Sequence, residues 1–325
     1  MANILVTGGA GYIGSHVVKL LGESDHKLTI IDDLSTGKKE SVLFGKFVEL
    51  NIGNTEKLEE VIKSGNFDAC FHFAGSIVVP ESVTDPIKYY ENNTKNTFEL
   101  LKLCHKYSVN KFIFSSTAAV YGDVEGGICS EDTPINPLNP YGKTKYMTEW
   151  MLEDFAHAYK SFEYVIFRYF NVAGANVDGK IGQCTPNATH LIKIASQVAA
   201  GKRDKMVIFG TDYPTPDGTC IRDYIHVDDL AQAHVDGFNY LLKGGKSQVM
   251  NAGYGQGYSV KEVIETVREV TGHDVPVDLG ERRAGDAAKL ISKAEKIGHT
   301  IGWKPKFNDI ELICKTASNW EKNLS

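Results

Sequence analysis

The chain has 325 residues, 42% hydrophobic and 23% charged, with a formal net charge of -6 at pH 7. These are the proportions of a globular protein with room for one large domain or two ordinary ones. The negative balance speaks against a nucleic-acid surface, and no apolar run approaches the roughly 18 residues of a membrane helix.

Apolar runs and helix-like stretches alternate from the start. The runs are "NILVTG", "KLTIID", "FVELN", "ACFHFAG", "KFIFSS" and "YVIFRYFN". Between them lie "GSHVVKLLGES", "TEKLEEVIKS", "PIKYYENNTKNTFELLKLCHKY" and a segment that opens at "NPYGKTKYMTEW". Continuous apolar strands alternating with helices predict an α/β fold, a Rossmann-type doubly wound parallel sheet covered on both faces. Ligands of such folds bind at the carboxyl ends of the strands. In the last segment Asn139-Pro140 marks a helix start, and Met147, Trp150, Met151 and Ala158 recur at helical spacing, which predicts its apolar face.

Beyond about Asn171 the alternation breaks at "NVAGANVDGKIGQCTPNATH" and "GTDYPTPDGTC". We expect residues 1–172 to form the nucleotide-binding domain and 173–325 a smaller α/β substrate domain, with about 221–245 returning to the first. The last twenty residues read as a helix. "MANILVTGGAG" lacks a basic segment ahead of an apolar core, so no signal peptide is expected. Six scattered cysteines without C-x-x-C point to a reducing cytoplasm rather than a disulfide framework. Ten histidines without H-E-x-x-H predict no metal site.

Gly8-x-x-Gly11-x-x-Gly14 follows the first apolar run and opens a helical stretch. Glycines there allow a tight turn, close approach of backbone to a pyrophosphate, and helix–strand packing, while the helix N-terminus meets the negative charge. Asp32 ends the next apolar run, eighteen residues after Gly14. A carboxylate there accepts from both ribose hydroxyls and repels a 2′-phosphate, so NAD is expected over NADP. Tyr141 and Lys145 lie four apart at a helix start, hence on one face, a phenol beside a cation.

These glycine spacings with the Y-x-x-x-K pair resemble the extended short-chain dehydrogenase/reductase family. "VTGGAGYIGSH", "FHFAG", "YYENN", "FIFSSTAAVYG", "NPYGKTK", "RYFNVAGA", "GTDYPTPDGTCIRDYIHVDDLA" and "RRAGD" together look like its UDP-hexose 4-epimerases. The resemblance covers nearly the whole chain. It implies catalytic roles for Tyr141, Lys145 and Thr117. Tyrosine titrates near 10 unperturbed, and a neighbouring ammonium and a nicotinamide cation would favour its phenolate. Tyr141 would then take the proton of the sugar's 4-hydroxyl as NAD accepts hydride from C4. Thr117 would bond the same hydroxyl, and Lys145 would hold the nicotinamide ribose. The 4-keto sugar would turn over and be reduced on its other face, so NAD would stay bound and be recycled.

The resemblance further implies cofactor contacts at Gly8, Gly11, Tyr12, Ile13, Gly14, Asp32, Asn51, Ile52, Phe73, Ala74, Gly75, Asn92, Ser115 and Tyr169. Substrate contacts would fall at Asn171, His190, Leu191, Phe209, Arg222, Tyr224, Arg283, Asp286 and Leu290, besides Thr117 and Tyr141. Arg222 and Arg283 map onto diphosphate-binding arginines, whose planar forks suit phosphate oxygens. It also implies a homodimer built on two long helices beginning near Tyr89 and Tyr141.

The chain departs from the family pattern in places. Asn51 stands where many members have an adenine-binding aspartate, Ile77 where many have a lysine at the cofactor ribose, and His190 where an asparagine is frequent. Leu290 stands where members restricted to non-acetylated sugars carry tyrosine, which leaves room for a 2-acetamido group. The expected activity is interconversion of UDP-glucose and UDP-galactose, extending to their N-acetyl forms. A 4,6-dehydratase would need proton-transferring residues after Thr117, where this chain has Ala118-Ala119. A net dehydrogenase or reductase, or a non-catalytic nucleotide sensor, stays open from sequence.

Overall fold

A computed structural model describes residues 1–186, 188–283 and 286–324. The chain folds as two compact units. The first holds residues 1–120, 137–168 and 231–250, and the second holds 121–136, 169–230 and 251 onward.

The first unit carries a seven-stranded sheet. Its strands are β1 (Asn3–Thr7), β2 (Lys27–Asp32), β3 (Lys46–Glu49), β4 (Ala69–His72), β5 (Lys111–Thr117), β6 (Glu163–Tyr169) and β7 (Gln248–Ala252), in spatial order β7-β6-β5-β4-β1-β2-β3. The pairs β1–β2, β1–β4, β2–β3 and β4–β5 are parallel. Strand order therefore reverses between β1 and β4, the switch point at which such sheets bind ligands. Leu5, Ile31, Cys70, Phe112 and Ile166 point from the strands into one core, joined by Leu58, Leu100 and Leu152 from covering helices.

Two helical stretches prepare the site. Asn139 caps helix Pro140–Ala158, its side-chain oxygen accepting from the Gly142 N–H at 2.9 Å, and Pro140 fits the first turn. The buried face differs from the expected one: Thr144, Lys145, Thr148, Glu149 and Leu152 are buried, while Met147, Trp150 and Ala158 are exposed. Hydrogen bonds and an ion pair make a polar face inward-facing here, which an apolar count does not anticipate. The other stretch runs from Pro86 to Lys106 but widens into a π-helical segment, Tyr90–Lys95, between two α-helical parts. Such widenings frequently mark functional sites.

In the second unit a five-stranded sheet has Ile221–His226 at its centre, pairing with Asn171–Ala173, Gly257–Ser259 and Lys289–Ser292; the last also pairs with Ile128–Cys129. Met206–Phe209 and Val277–Gly280 form a separate parallel pair. Helices Leu191–Ala199, Val260–Thr271 and Ile310–Asn323 enclose a core of Ile192, Val263, Val267, Ile313 and Tyr224.

These pairings redraw the expected domains. Of 221–245, strand Ile221–His226 stays in the second unit through its sheet partners, and only residues from 231 join the first. There His234 and Phe238 pack on Phe73, Phe167 and Phe71. Residues 121–136 also leave the first unit, because Ile128–Cys129 pairs with Ile291–Ser292.

Candidate active site

At the carboxyl end of β1 the chain turns through Gly8 and Gly11 into helix Tyr12–Glu23, whose first turn carries Gly14. Gly8 has φ +73° and donates its N–H to the Ile31 carbonyl at 2.8 Å. A side chain there would collide with the Ala74 backbone, and one on Gly14 with the Gly8 carbonyl. Tyr12 and Ile13 form the helix's first turn. Asp32, at the end of β2, accepts from the Ala10 and Leu34 N–H groups, each at 2.9 Å, which leaves acceptor capacity on both oxygens. Burial raises its carboxyl pKa and those backbone bonds oppose the rise. A tight glycine turn at a helix start beside a carboxylate fits a dinucleotide's pyrophosphate and ribose.

Around this loop lie the other residues expected at a cofactor. Phe73 and Ala74 donate their N–H groups to the Thr7 carbonyl at 2.8 and 3.1 Å, which fixes the exit of β4 beside β1. Asn51 donates to the Asp33 carboxylate at 2.6 Å and accepts from the Gly53 N–H at 2.8 Å. Its carbonyl oxygen is thus already in use once, with a lone pair remaining. Ile52 is buried, Ile77 is 40% exposed, and Asn92 donates to the Ser76 hydroxyl at 3.0 Å.

The catalytic candidates meet at the end of β5. Thr117 is its last residue and its hydroxyl favours the Tyr141 phenolate; Ser115 offers its carbonyl to the Lys145 ammonium at 2.8 Å. Lys145 is 3% exposed and lies 5.0 Å from the Phe114 ring centre. Burial is the main influence on both titrating groups. It brings Lys145 down to about 8 against the opposing pull of Glu149. It also raises Tyr141, with the Thr117 hydroxyl acting the other way. The expected lowering of Tyr141 is therefore not a property of the chain by itself: desolvation of the phenolate outweighs the help it receives.

Several residues here escaped the sequence reading. Asn93, in the π segment, accepts from the Ser76 N–H at 2.7 Å and donates to the Ser76 carbonyl and the Thr144 hydroxyl at 3.0 and 3.2 Å. It holds the loop after Gly75 against the Tyr141 helix. His72 sits between Thr7 and Thr97 at 2.6 and 2.8 Å and stacks on Phe114. Glu149 follows Lys145 by one helical turn, the available signal for it.

In the second unit the expected substrate contacts form two groups. Asn171, His190, Leu191 and Tyr224 line one cavity with Gln183 and Trp320. Gln183 and His190 hydrogen-bond at 3.0 Å, and burial lowers the His190 pKa, with Lys193 adding to it. Arg222 pairs in register with Leu290 on the adjacent strand, and its guanidinium lies 3.9 Å from Asp286. The Arg283 guanidinium stacks 3.9 Å from the Phe209 ring centre. Tyr169, the last residue of β6, is buried and is counted with this unit.

A β1 glycine turn at the switch point, an acidic end to β2 and a Thr-Tyr-Lys set at the end of β5 define a dinucleotide-binding protein of the short-chain dehydrogenase/reductase type. Residues 4–253 match the model of the NAD dependent epimerase/dehydratase family. The chain is 52% identical over 324 residues to a UDP-glucose 4-epimerase of Azospirillum brasilense, covering 99% of this chain and 92% of that one. A UDP-glucose 4-epimerase from Brucella ovis, crystallised with NAD, superposes with a TM-score of 0.95 at 42% identity and 99% coverage of each chain. The UDP-Glc/GlcNAc 4-epimerase from Campylobacter jejuni does so at 0.87 and 50%, again covering 99% of each. The chain belongs to the NAD dependent epimerase/dehydratase family.

Proposed function

We propose that this protein is an NAD-dependent 4-epimerase that interconverts UDP-glucose and UDP-galactose through a 4-keto sugar. The observation that carries the reading is the meeting of Thr117, Tyr141 and Lys145 at the end of β5, followed by Ala118 and Ala119, which can carry no proton. Elimination of water would need acid–base groups there, whereas epimerisation needs a single proton relay.

NAD, held by the glycine loop, Asp32, the 73–75 turn, Asn92 and Lys145, supplies reversible two-electron redox chemistry at the sugar's C4 and a cationic ring. The chain's residues do the rest. Tyr141 takes and returns the 4-hydroxyl proton. Thr117 donates to the phenolate and passes that proton on, and its hydroxyl already favours the charged form of Tyr141. Lys145, anchored to Ser115 and itself buried, adds a cation where charge acts more strongly than in water. Arg222 and Arg283 bind the diphosphate, and the cavity at Asn171, His190, Leu191 and Tyr224 takes a further part of the nucleotide sugar.

Leu290 in place of tyrosine supports acceptance of 2-acetamido sugars as well. Six free cysteines, five of them buried, suit a reducing cytoplasm; among the described residues no helix is long and apolar enough to cross a membrane. Exposed Ile87, Tyr90 and Phe98 on one helical stretch, and Met147 and Trp150 on the Tyr141 helix, support a homodimer.

The test is purified protein without added cofactor, given UDP-galactose and UDP-N-acetylgalactosamine separately, with the sugar anomeric signals followed by NMR. Conversion of both to their gluco forms is expected, and Leu290→Tyr is expected to abolish only the N-acetyl reaction. Conversion of UDP-galactose alone would remove the role of Leu290. No conversion of either, even with NAD added, would overturn the epimerase reading.

A further inference from the structure

Behind the Thr117, Tyr141 and Lys145 set lies a buried carboxylate that proton transfer does not use. Glu149 is fully buried and sits one turn beyond Lys145. Its oxygens accept from the Arg168 Nε at 3.1 Å each and from Nη2 at 2.6 Å. The same carboxylate accepts from the Ser116 hydroxyl, and Ser116 immediately precedes Thr117. Arg168 and Ser116 are 5% and 1% exposed, so the network is shut off from water. It joins the Tyr141 helix to the ends of β5 and β6.

We propose that Glu149 is a positioning residue for the epimerase site: clamped by Arg168, its carboxylate fixes Ser116 and with it the two neighbours that serve the site, Thr117 and the Ser115 carbonyl that holds Lys145. This rests on the function proposed above. The charges that bear on Lys145 come from His72 on β4 and Glu149 on its own helix, and Glu149 in turn meets Arg168 from β6, with Glu153 and Tyr164 next to Glu149 and Arg168. Glu149 is the one whose charge supports the ammonium against burial. A purely structural ion pair would behave differently. Replacing both of its members by uncharged residues of similar volume is often neutral for stability, and would leave the chemistry of Lys145 unchanged.

The experiment compares Glu149→Gln, Glu149→Asp and the double variant Glu149→Gln/Arg168→Met, which removes both charges and leaves no orphan guanidinium. Folding is checked by circular dichroism; if Glu149→Gln fails to fold, the double variant decides. Lysine ε-carbons labelled with 13C are titrated by NMR, the Lys145 signal being assigned by its loss in Lys145→Arg. Wild-type Lys145 is expected to titrate near 8. In Glu149→Gln it should fall by about one unit, a tenfold change in the proton equilibrium; in the double variant it should fall by less, because the Arg168 cation leaves with the carboxylate, and kcat should drop in both. The alkaline limb of kcat should move down with it and KM should hardly change. Glu149→Asp should lie between. An unchanged Lys145 titration and kcat in folded Glu149→Gln, or an unchanged kcat in the folded double variant, overturns the proposal. The titration needs no turnover, so a wild-type protein that converts no UDP-sugar would defeat the function reading while this result still decided the role of Glu149.

Discussion

His72 shows how a single side chain ties the site to stability. It is held by Thr7 and Thr97, stacked on Phe114 and shut off from water. Burial first, and the Lys145 cation second, bring its pKa to about 3, against an ordinary 6.5. Between pH 6.5 and 3 the unfolded chain binds a proton that the folded chain refuses. Stability from this group is therefore complete above 6.5 and lost as pH falls, at about 1.4 kcal/mol per unit. Urea midpoints at pH 7 and 5 check this. His72→Asn should lose less stability between the two than wild type, by about 2 kcal/mol. Equal losses in the two proteins would mean that His72 titrates normally. Using the difference between proteins cancels the opposite trend from Asp223, whose pKa burial raises to about 6.

Among the elements, helix Pro140–Ala158 matters most, since it carries Tyr141, Lys145 and Glu149. Its start is set by Asn139, whose side chain satisfies the Gly142 N–H, and by the tight fit of Gly142 against the Ala119 carbonyl. Removing the cap should loosen the turn that holds Tyr141. Asn139→Ala is expected to cost about 1 kcal/mol in urea unfolding, while Asn139→Asp should cost far less. An alanine variant as stable as wild type would mean that packing alone fixes the helix start.

For the whole molecule, exposed apolar residues on this helix and on the Pro86–Lys106 stretch give the clearest expectation. Ile87 is 71% exposed and Trp150 51%, positions at which large apolar side chains are normally covered. Light scattering should report a dimer for wild type and a monomer for Ile87→Glu/Trp150→Glu. A monomeric wild type would defeat the homodimer proposal, and a dimeric double variant would place the interface elsewhere.

Local features were readable from sequence. The Gly8–Gly14 turn and Asp32 follow from short-range geometry, and Tyr141 and Lys145 from helical spacing after an Asn-Pro start, because one or two turns of chain place each of them. Tertiary structure decided what depends on distant partners. It turned a polar face of the Tyr141 helix inward, because Arg168 and Ser116 satisfy Glu149 there. It sent strand Ile221–His226 to the second sheet, where its edges find hydrogen-bond partners. It also moved Lys145 and His72 far from their ordinary pKa values, because desolvation depends on everything packed around a group and no sequence interval encodes that.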